Sequence, residues 1–245
     1  MSGQHAGAAG TPHARPIAAL ARHTLVWLVP RAWGRLVDEA SGDAPRRDAL
    51  TLWFARDWPL VARRADDSCA TGRTGIALGL PLPPAMGKLR LRLVAAEADV
   101  ARRAPPPALA GVGPALPPAW RRAVADLDGE ATRLGLRLRV FGSVAWQVLT
   151  GLAYVTDDSD LDVLLRPVGT HMLEAALRLL EQWQRDHGLR ADGEILFPDD
   201  DAVAWREWRS PGGSSRVLVK NIGSAALVPR TEMLARLAAD DRACA

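Results

Sequence analysis

The clearest hydrophobic patterning lies in the second half of the chain. Trp120, Val124, Leu127 and Ala131 recur at three- and four-residue spacing, which predicts a helix over Pro118–Gly135. Leu136–Phe141 alternates Leu and Arg as far as Val140 and reads as a strand. Val144–Thr150 reads as a short helix stopped by Gly151, and Thr156–Ser159 as a turn. Asp160–Leu165 is a second strand. Thr170 is placed to cap a helix whose stripe is Leu173, Ala176, Leu177 and Leu180, stopped by Gly188. Glu194–Phe197 reads as a third strand. Ala202–Trp208 and Arg216–Val219 read as two more, separated by the turn-forming Ser210–Ser214, and Thr231–Ala239 as a closing helix.

The first half is patterned less regularly. Structure is expected to begin around Ala18–Val29, with short strands at Thr51–Phe54 and Leu60–Arg63. Leu80-Pro81-Leu82-Pro83-Pro84 must be extended or turning, and Leu89–Val94 alternates Leu with Arg as a half-exposed strand does. Residues 1–16 are small and polar, as in a disordered leader. Residues 104–118 are rich in Pro and Gly and have the composition of a linker. The expected organisation is α+β: a leader (1–16), a small N-terminal α+β substrate- or carrier-binding domain (17–103), the linker (104–118), and a mixed-sheet catalytic domain with flanking helices (119–245).

Composition narrows the function classes. The 245 residues carry a formal charge of only +3, with nearly all basic charge on Arg; Lys88 and Lys220 are the only lysines. The Arg pairs are scattered, with no basic stripe, so nucleic acid is not an expected partner, whereas a phosphate-rich small substrate is compatible. Cys69 and Cys244 have no partner at metal-ligand spacing. Neither a signal-peptide apolar run nor a stretch near the ~20 apolar residues of a membrane span occurs, and the expectation is a cytoplasmic protein with no membrane partner.

One constellation carries chemistry. In a strand, Asp160 and Asp162 point the same way while Leu161 and Val163 point into the core. Two carboxylates on one face of a buried strand repel each other and are costly to desolvate. A hard divalent cation compensates them, and Mg²⁺ suits oxygen ligands shared with phosphates. Upstream, Gly142-Ser143 joins a strand to a helix N-terminus, where free N–H groups and the helix dipole attract an anion. A triphosphate tail is therefore expected on Gly142-Ser143, bridged by metal to Asp160 and Asp162. A third carboxylate is expected from Asp192 or Glu194, which share strand parity; Glu194, beside the apolar Ile195-Leu196-Phe197, is the preferred metal ligand and catalytic candidate.

Gly-Ser, a short helix and then Asp-x-Asp resembles the nucleotidyltransferase superfamily. The longer run Phe141-Gly142-Ser143-Val144-Ala145-Trp146-Gln147, with Leu149-Thr150-Gly151, Tyr154-Val155 and Ser159-Asp160-Leu161-Asp162, is similar to the malonate decarboxylase holo-acyl-carrier-protein synthase family, also called phosphoribosyl-dephospho-CoA transferase. Shorter similarities occur at Arg22-His23, Trp27-Leu28, Gly79–Pro83, Asp192-Gly193-Glu194, Trp205–Trp208 and Val217–Lys220. The resemblance implies transfer of a 2′-(5″-phosphoribosyl)-3′-dephospho-CoA group from its 5″-triphosphate precursor, triphosphoribosyl-dephospho-CoA, to a serine of the apo acyl-carrier subunit of malonate decarboxylase. Pyrophosphate would leave.

Lys220, at a strand end, is a point-charge candidate for phosphate, and Arg206 a second phosphate candidate. His23 is a candidate substrate contact. Trp146, Trp205 and Trp208 could stack a base, though large aromatics are more often core. Two other readings of the motif stay open: an adenylyltransferase using ATP on a small molecule or another protein, and a non-catalytic binding module of the same fold.

Overall fold

The computed structural model describes residues 20–64, 75–210 and 215–244; the expected leader, 1–16, lies outside them. In the first half, β1 (Leu25–Leu28), β2 (Leu60–Ala62), β3 (Ile76–Pro81), β4 (Arg90–Ala95) and β5 (Val100–Ala104) form an antiparallel sheet in the order β4-β3-β2-β1-β5. Helices α1 (Pro30–Glu39) and α2 (Ala44–Ala55) supply Trp33, Leu36, Leu50 and Trp53 to a core shared with Leu60, Leu78, Leu80 and Leu93 of the sheet. Thr51–Phe54, expected as a strand, belongs to α2. The Asp43 side chain caps that helix by accepting from the Arg46 N–H, and Ala49, Leu50 and Trp53 recur at helical spacing. The Leu–Arg alternation in β4 holds, with Leu93 buried in the core and Arg90 and Arg92 exposed.

The second half follows as α3 (Pro118–Arg133), β6 (Arg139–Val140), α4 (Gly142–Thr150), β7 (Leu161–Leu165), α5 (Gly169–His187), β8 (Ala191–Leu196), β9 (Ala202–Ala204), α6 (Trp205–Arg209), β10 (Arg216–Lys220), β11 (Ala225–Pro229) and α7 (Arg230–Cys244). Its sheet runs β11-β10-β9-β8-β7-β6. Only β7 and β8 pair in parallel, joined by α5 as the crossover, so the sheet is mixed and the fold α+β. The stripe of α3 (Val124, Leu127, Ala131) and that of α5 (Leu173, Leu177, Leu180) are buried with Leu161, Val163 and Leu165 of β7.

Three expectations change here. The segment Ala202–Trp208 is a three-residue strand followed by α6. Trp205 and Trp208, which would diverge on a strand, share a helical face at i, i+3, and both are buried. Val168, not Thr170, precedes the first residue of α5, and Gly169 takes φ +75° there. The Pro-rich stretch 104–118 packs against the second half. Leu109, Val112 and Leu116 are buried in its core, and backbone bonds run from Leu109 N–H to Leu138 O and from Val140 N–H to Pro107 O.

The two halves share apolar surface. Trp146 on α4 and Tyr154, both from the second half, are buried in the core of the first. The Tyr154 hydroxyl donates to Pro81 O at 2.8 Å. Gln147 orients that segment: its Oε1 accepts from the N–H of Tyr154 and of Val155, each at 2.9 Å.

Gly193 in β8 has φ +151°, and a Cβ there would lie 2.0 Å from Val163 O in the adjoining strand. Gly193→Ala is expected to part β7 from β8 and lower stability by about 1–3 kcal/mol, measured as a fall in the urea midpoint.

Candidate active site

Parallel pairing of β7 with β8 sets Asp162 opposite Asp192 and Leu164 opposite Glu194. These side chains share the sheet face turned away from α3 and α5, because Leu161, Val163 and Leu165 take the other. Asp160 lies one residue before β7 on the same parity. Phe141 N–H donates to Asp162 O at 3.1 Å, which draws the N-terminus of α4 against Asp162. Gly142, the first residue of α4, has φ +61°, and a Cβ on it would meet Asp162 Oδ2 at 1.8 Å. The glycine is thus required by the carboxylate beneath it as well as by its left-handed backbone.

The electrostatics are those of crowded acids. Burial first, then the charges of Asp192 and Asp160, push the Asp162 carboxyl up to about 7, with Arg90 pulling it down and Glu194 adding to the rise. Asp160 Oδ2 accepts from Arg190 at 2.9 Å, while its Oδ1 is buried with no hydrogen-bond partner. A buried carboxylate oxygen without a donor is costly. A cation placed between Asp160 and Asp162 would satisfy it and offset the repulsion.

Glu194, the preferred third carboxylate, is paired with two cationic side chains. Its two oxygens take Arg22 at 2.9 Å and His23 Nε2 at 3.0 Å, both from the first half of the chain. Burial would raise its carboxyl, but the hydrogen bond from His23 and the charges of His23 and Arg22 hold it below the usual range. No group of three or more His, Cys, Asp or Glu side chains arranged to hold a metal occurs among the described residues. The acid directly beside Asp162 on the neighbouring strand is Asp192, and the charge of Glu194 also reaches Asp162. Two carboxylates with space beside them still fit Mg²⁺, which commonly takes one or two protein carboxylates and completes its shell with water and substrate phosphate.

His23 also lies against Phe141, with ring centroids 4.3 Å apart, and has φ +65°. The first half of the chain thereby touches both the acid strand and the residue preceding Gly142. The sequence showed Arg22-His23 as a short similarity and His23 as a candidate substrate contact; it did not show the acid that His23 pairs with, 171 residues away.

The space in front of Asp162 is a cleft of about 930 Å³ between the two sheets. Gly142, Ser143, Asp162 and Lys220 line it, as do Arg22 and His23. Arg206 does not. Its guanidinium donates to Gln184 Oε1 at 2.9 Å and to Ala191 O at 2.6 Å, bracing α5 against β8, and its Nε lies 3.9 Å from Asp192 Oδ1. Trp146 and Tyr154 border the cleft while buried in the first core; Trp205 and Trp208 belong to the second core alone. Sequence reasoning passed over Arg90, whose charge reaches Asp162 from the opposite sheet. The Leu–Arg alternation of β4 was its one signal, and that pattern alone reads as a solvated face.

Two substitutions separate these roles. Gly142→Ala is expected to displace Asp162 or the start of α4 and cut catalytic turnover about a hundredfold, read by steady-state kinetics on a variant that still shows native circular dichroism. Glu194→Ala strands Arg22 and His23 without their acid. It should lower unfolding stability by about 3 kcal/mol in denaturant titration, with Glu194→Gln losing less because its amide oxygen still accepts.

Comparison with known proteins accords with this geometry. A family model described as the phosphoribosyl-dephospho-CoA transferase MdcG C-terminal domain matches residues 108–231, and its N-terminal-domain counterpart matches residues 21–106. A phosphoribosyl-dephospho-CoA transferase of Xanthomonas euvesicatoria pv. vesicatoria is 46% identical over 213 residues, covering 86% of this chain and 95% of the relative. One of Bradyrhizobium diazoefficiens is 39% identical, covering 87% and 92%. One of Pseudomonas aeruginosa is 34% identical, covering 66% and 74%. No solved structure matches the chain. With both halves matched and such identity sustained along most of its length, the chain belongs to the phosphoribosyl-dephospho-CoA transferase family, a family of transferase enzymes.

Proposed function

We propose that the protein transfers the phosphoribosyl-dephospho-CoA group from its 5″-triphosphate to a serine hydroxyl of the apo acyl-carrier subunit of malonate decarboxylase, with release of pyrophosphate. The observation that carries this reading is the apposition of a helix N-terminus, Gly142-Ser143, to Asp162 at one wall of a cation-lined cleft, with Asp160 close enough to act on the Asp162 carboxyl. The serine oxygen forms a bond to the α-phosphorus, the bond from that phosphorus to the bridging oxygen of pyrophosphate breaks, and the serine proton is lost. Ser143 and the N–H groups that open α4 hold the departing β- and γ-phosphates, aided by the dipole of the helix. Lys220, which also lines the cleft, adds positive charge where the leaving group gathers negative charge. Asp160 and Asp162 would hold Mg²⁺, which supplies charge neutralisation at the phosphates when bound. Glu194 contributes by holding Arg22 and His23, and through them the first sheet, over the site.

The deciding experiment is a mass measurement. Incubation with Mg²⁺, triphosphoribosyl-dephospho-CoA and the apo carrier subunit should raise the carrier's mass by one phosphoribosyl-dephospho-CoA group. Asp160→Ala should slow that gain at least about a hundredfold. An unchanged carrier, with some other acceptor labelled from ATP, would overturn the reading in favour of an adenylyltransferase.

A further inference from the structure

Arg90 faces the acid strand from the opposite sheet, and the reaction described so far gives it no part. It is the first residue of β4 and lines the same cleft as Gly142, Ser143 and Asp162. Strand alternation aims it there. Leu91, Leu93 and Ala95 pack on the core that α1 and α2 cover, so Arg90, of the opposite parity, takes the other face of the sheet. The residue is exposed, and among the described residues its guanidinium makes no hydrogen bond or ion pair. Its charge nevertheless crosses the cleft and opposes the rise of the Asp162 carboxyl.

The backbone that carries this guanidinium is fixed. Register pairs Arg90 with Pro81 on β3, and Pro81 O accepts from the Tyr154 hydroxyl at 2.8 Å. Tyr154 N–H donates in turn to Gln147 on α4, the helix that opens with Gly142. Leu82 N–H donates to Leu89 O at 2.7 Å and closes the hairpin between β3 and β4. The base of Arg90 is therefore tied, through Pro81, Tyr154 and Gln147, to the helix whose N-terminus abuts Asp162. Its tip is left unbonded. A placed stem with an unbonded planar cation suits a group that engages when phosphate arrives. The chemistry calls for such a group, because charge gathers on the departing pyrophosphate as its bond to the α-phosphorus breaks.

We infer that Arg90 is a catalytic residue that reaches across the cleft to the triphosphate end of the donor and bridges the transferring phosphate and the departing pyrophosphate. The inference rests on the proposed function and deepens it by assigning one cation of the reacting site to the first half of the chain. As the serine oxygen bonds to the α-phosphorus and the bond to pyrophosphate breaks, Arg90 keeps its proton and stabilises the charge that passes to the leaving oxygen. Its planar fork pairs two oxygens at once, which fits a bridge between phosphates better than a point charge does. The first sheet then supplies a working group to the active site as well as one of its walls.

Two measurements on the full chain test this. In calorimetric titration with inorganic tripolyphosphate and Mg²⁺, Arg90→Ala should raise the Kd about tenfold. In carrier labelling, Arg90→Ala should cut kcat about a hundredfold, and Arg90→Lys should cut it less. Guanidinium ion added at a non-denaturing concentration should restore part of the turnover of Arg90→Ala, which a merely structural arginine would not allow. Equal Kd and kcat in parent and Arg90→Ala overturn the inference. So does a fall in the urea midpoint of Arg90→Ala together with lost turnover that guanidinium does not restore. The broader reading fails separately. Normal carrier labelling by Arg90→Ala sinks the role of the arginine and leaves the proposed function standing. Arg90-dependent tripolyphosphate binding by a protein that labels no carrier supports the Arg90 contact and sinks the proposed function.

Discussion

Asp162 is held where several demands meet, and the surrounding structure follows from how they are met. Its strand must be buried on one face to close the core against α3 and α5, which fixes its carboxylate on the other. The N-terminus of α4 presses on that carboxylate so closely that only a glycine fits at 142. Asp160 and Asp192 add like charge, and burial removes the water that would screen it. Such a cluster is unfavourable for folding alone. It becomes intelligible as a place where positive charge arrives with substrate.

The first half of the chain is bound into this arrangement by both polar and apolar contacts. Arg22 and His23 close on Glu194, and His23 leans on Phe141 immediately before Gly142. Trp146 and Tyr154 extend from the second half into the first core. Apolar burial supplies most of the adhesion between the sheets. The ionic clamp sets their register, because a buried acid tolerates few positions relative to its two partners. A cleft with acid on one wall and arginine on the other results.

The division of charge across that cleft suits phosphoryl transfer, where positioning and electrostatics supply nearly all of the catalysis. In the proposed reaction, the wall bearing Gly142-Ser143 and Asp162 would deal with the reacting phosphates. The opposite wall is built from the alternating Leu and Arg of β4. Spreading cations over two walls also avoids concentrating like charge on one surface, which would cost stability before substrate binds.

Much of the site was legible in the sequence because its parts are local. Gly142-Ser143 before a short helix, and Asp160 and Asp162 at two-residue spacing in an apolar strand, specify their own relative placement through helix and strand geometry. The stripes of α3 and α5 were legible for the same reason, since one-sided burial imposes a 3.6-residue period. Thr51–Phe54 and Trp205–Trp208 were not, because short apolar runs suit strand and helix alike until neighbouring elements choose between them. The partner of Glu194 could not be read at all: strand parity allowed it to join Asp162, and only the folding of Arg22 and His23 across the catalytic sheet assigned it to the clamp. Arg206 was drawn to the brace between α5 and β8 in the same way, and the arginines of β4 passed for a solvated edge until the second sheet stood opposite them. Local spacing determined which residues could meet phosphate, while burial and ion pairing over long sequence separations decided which of them face the cleft.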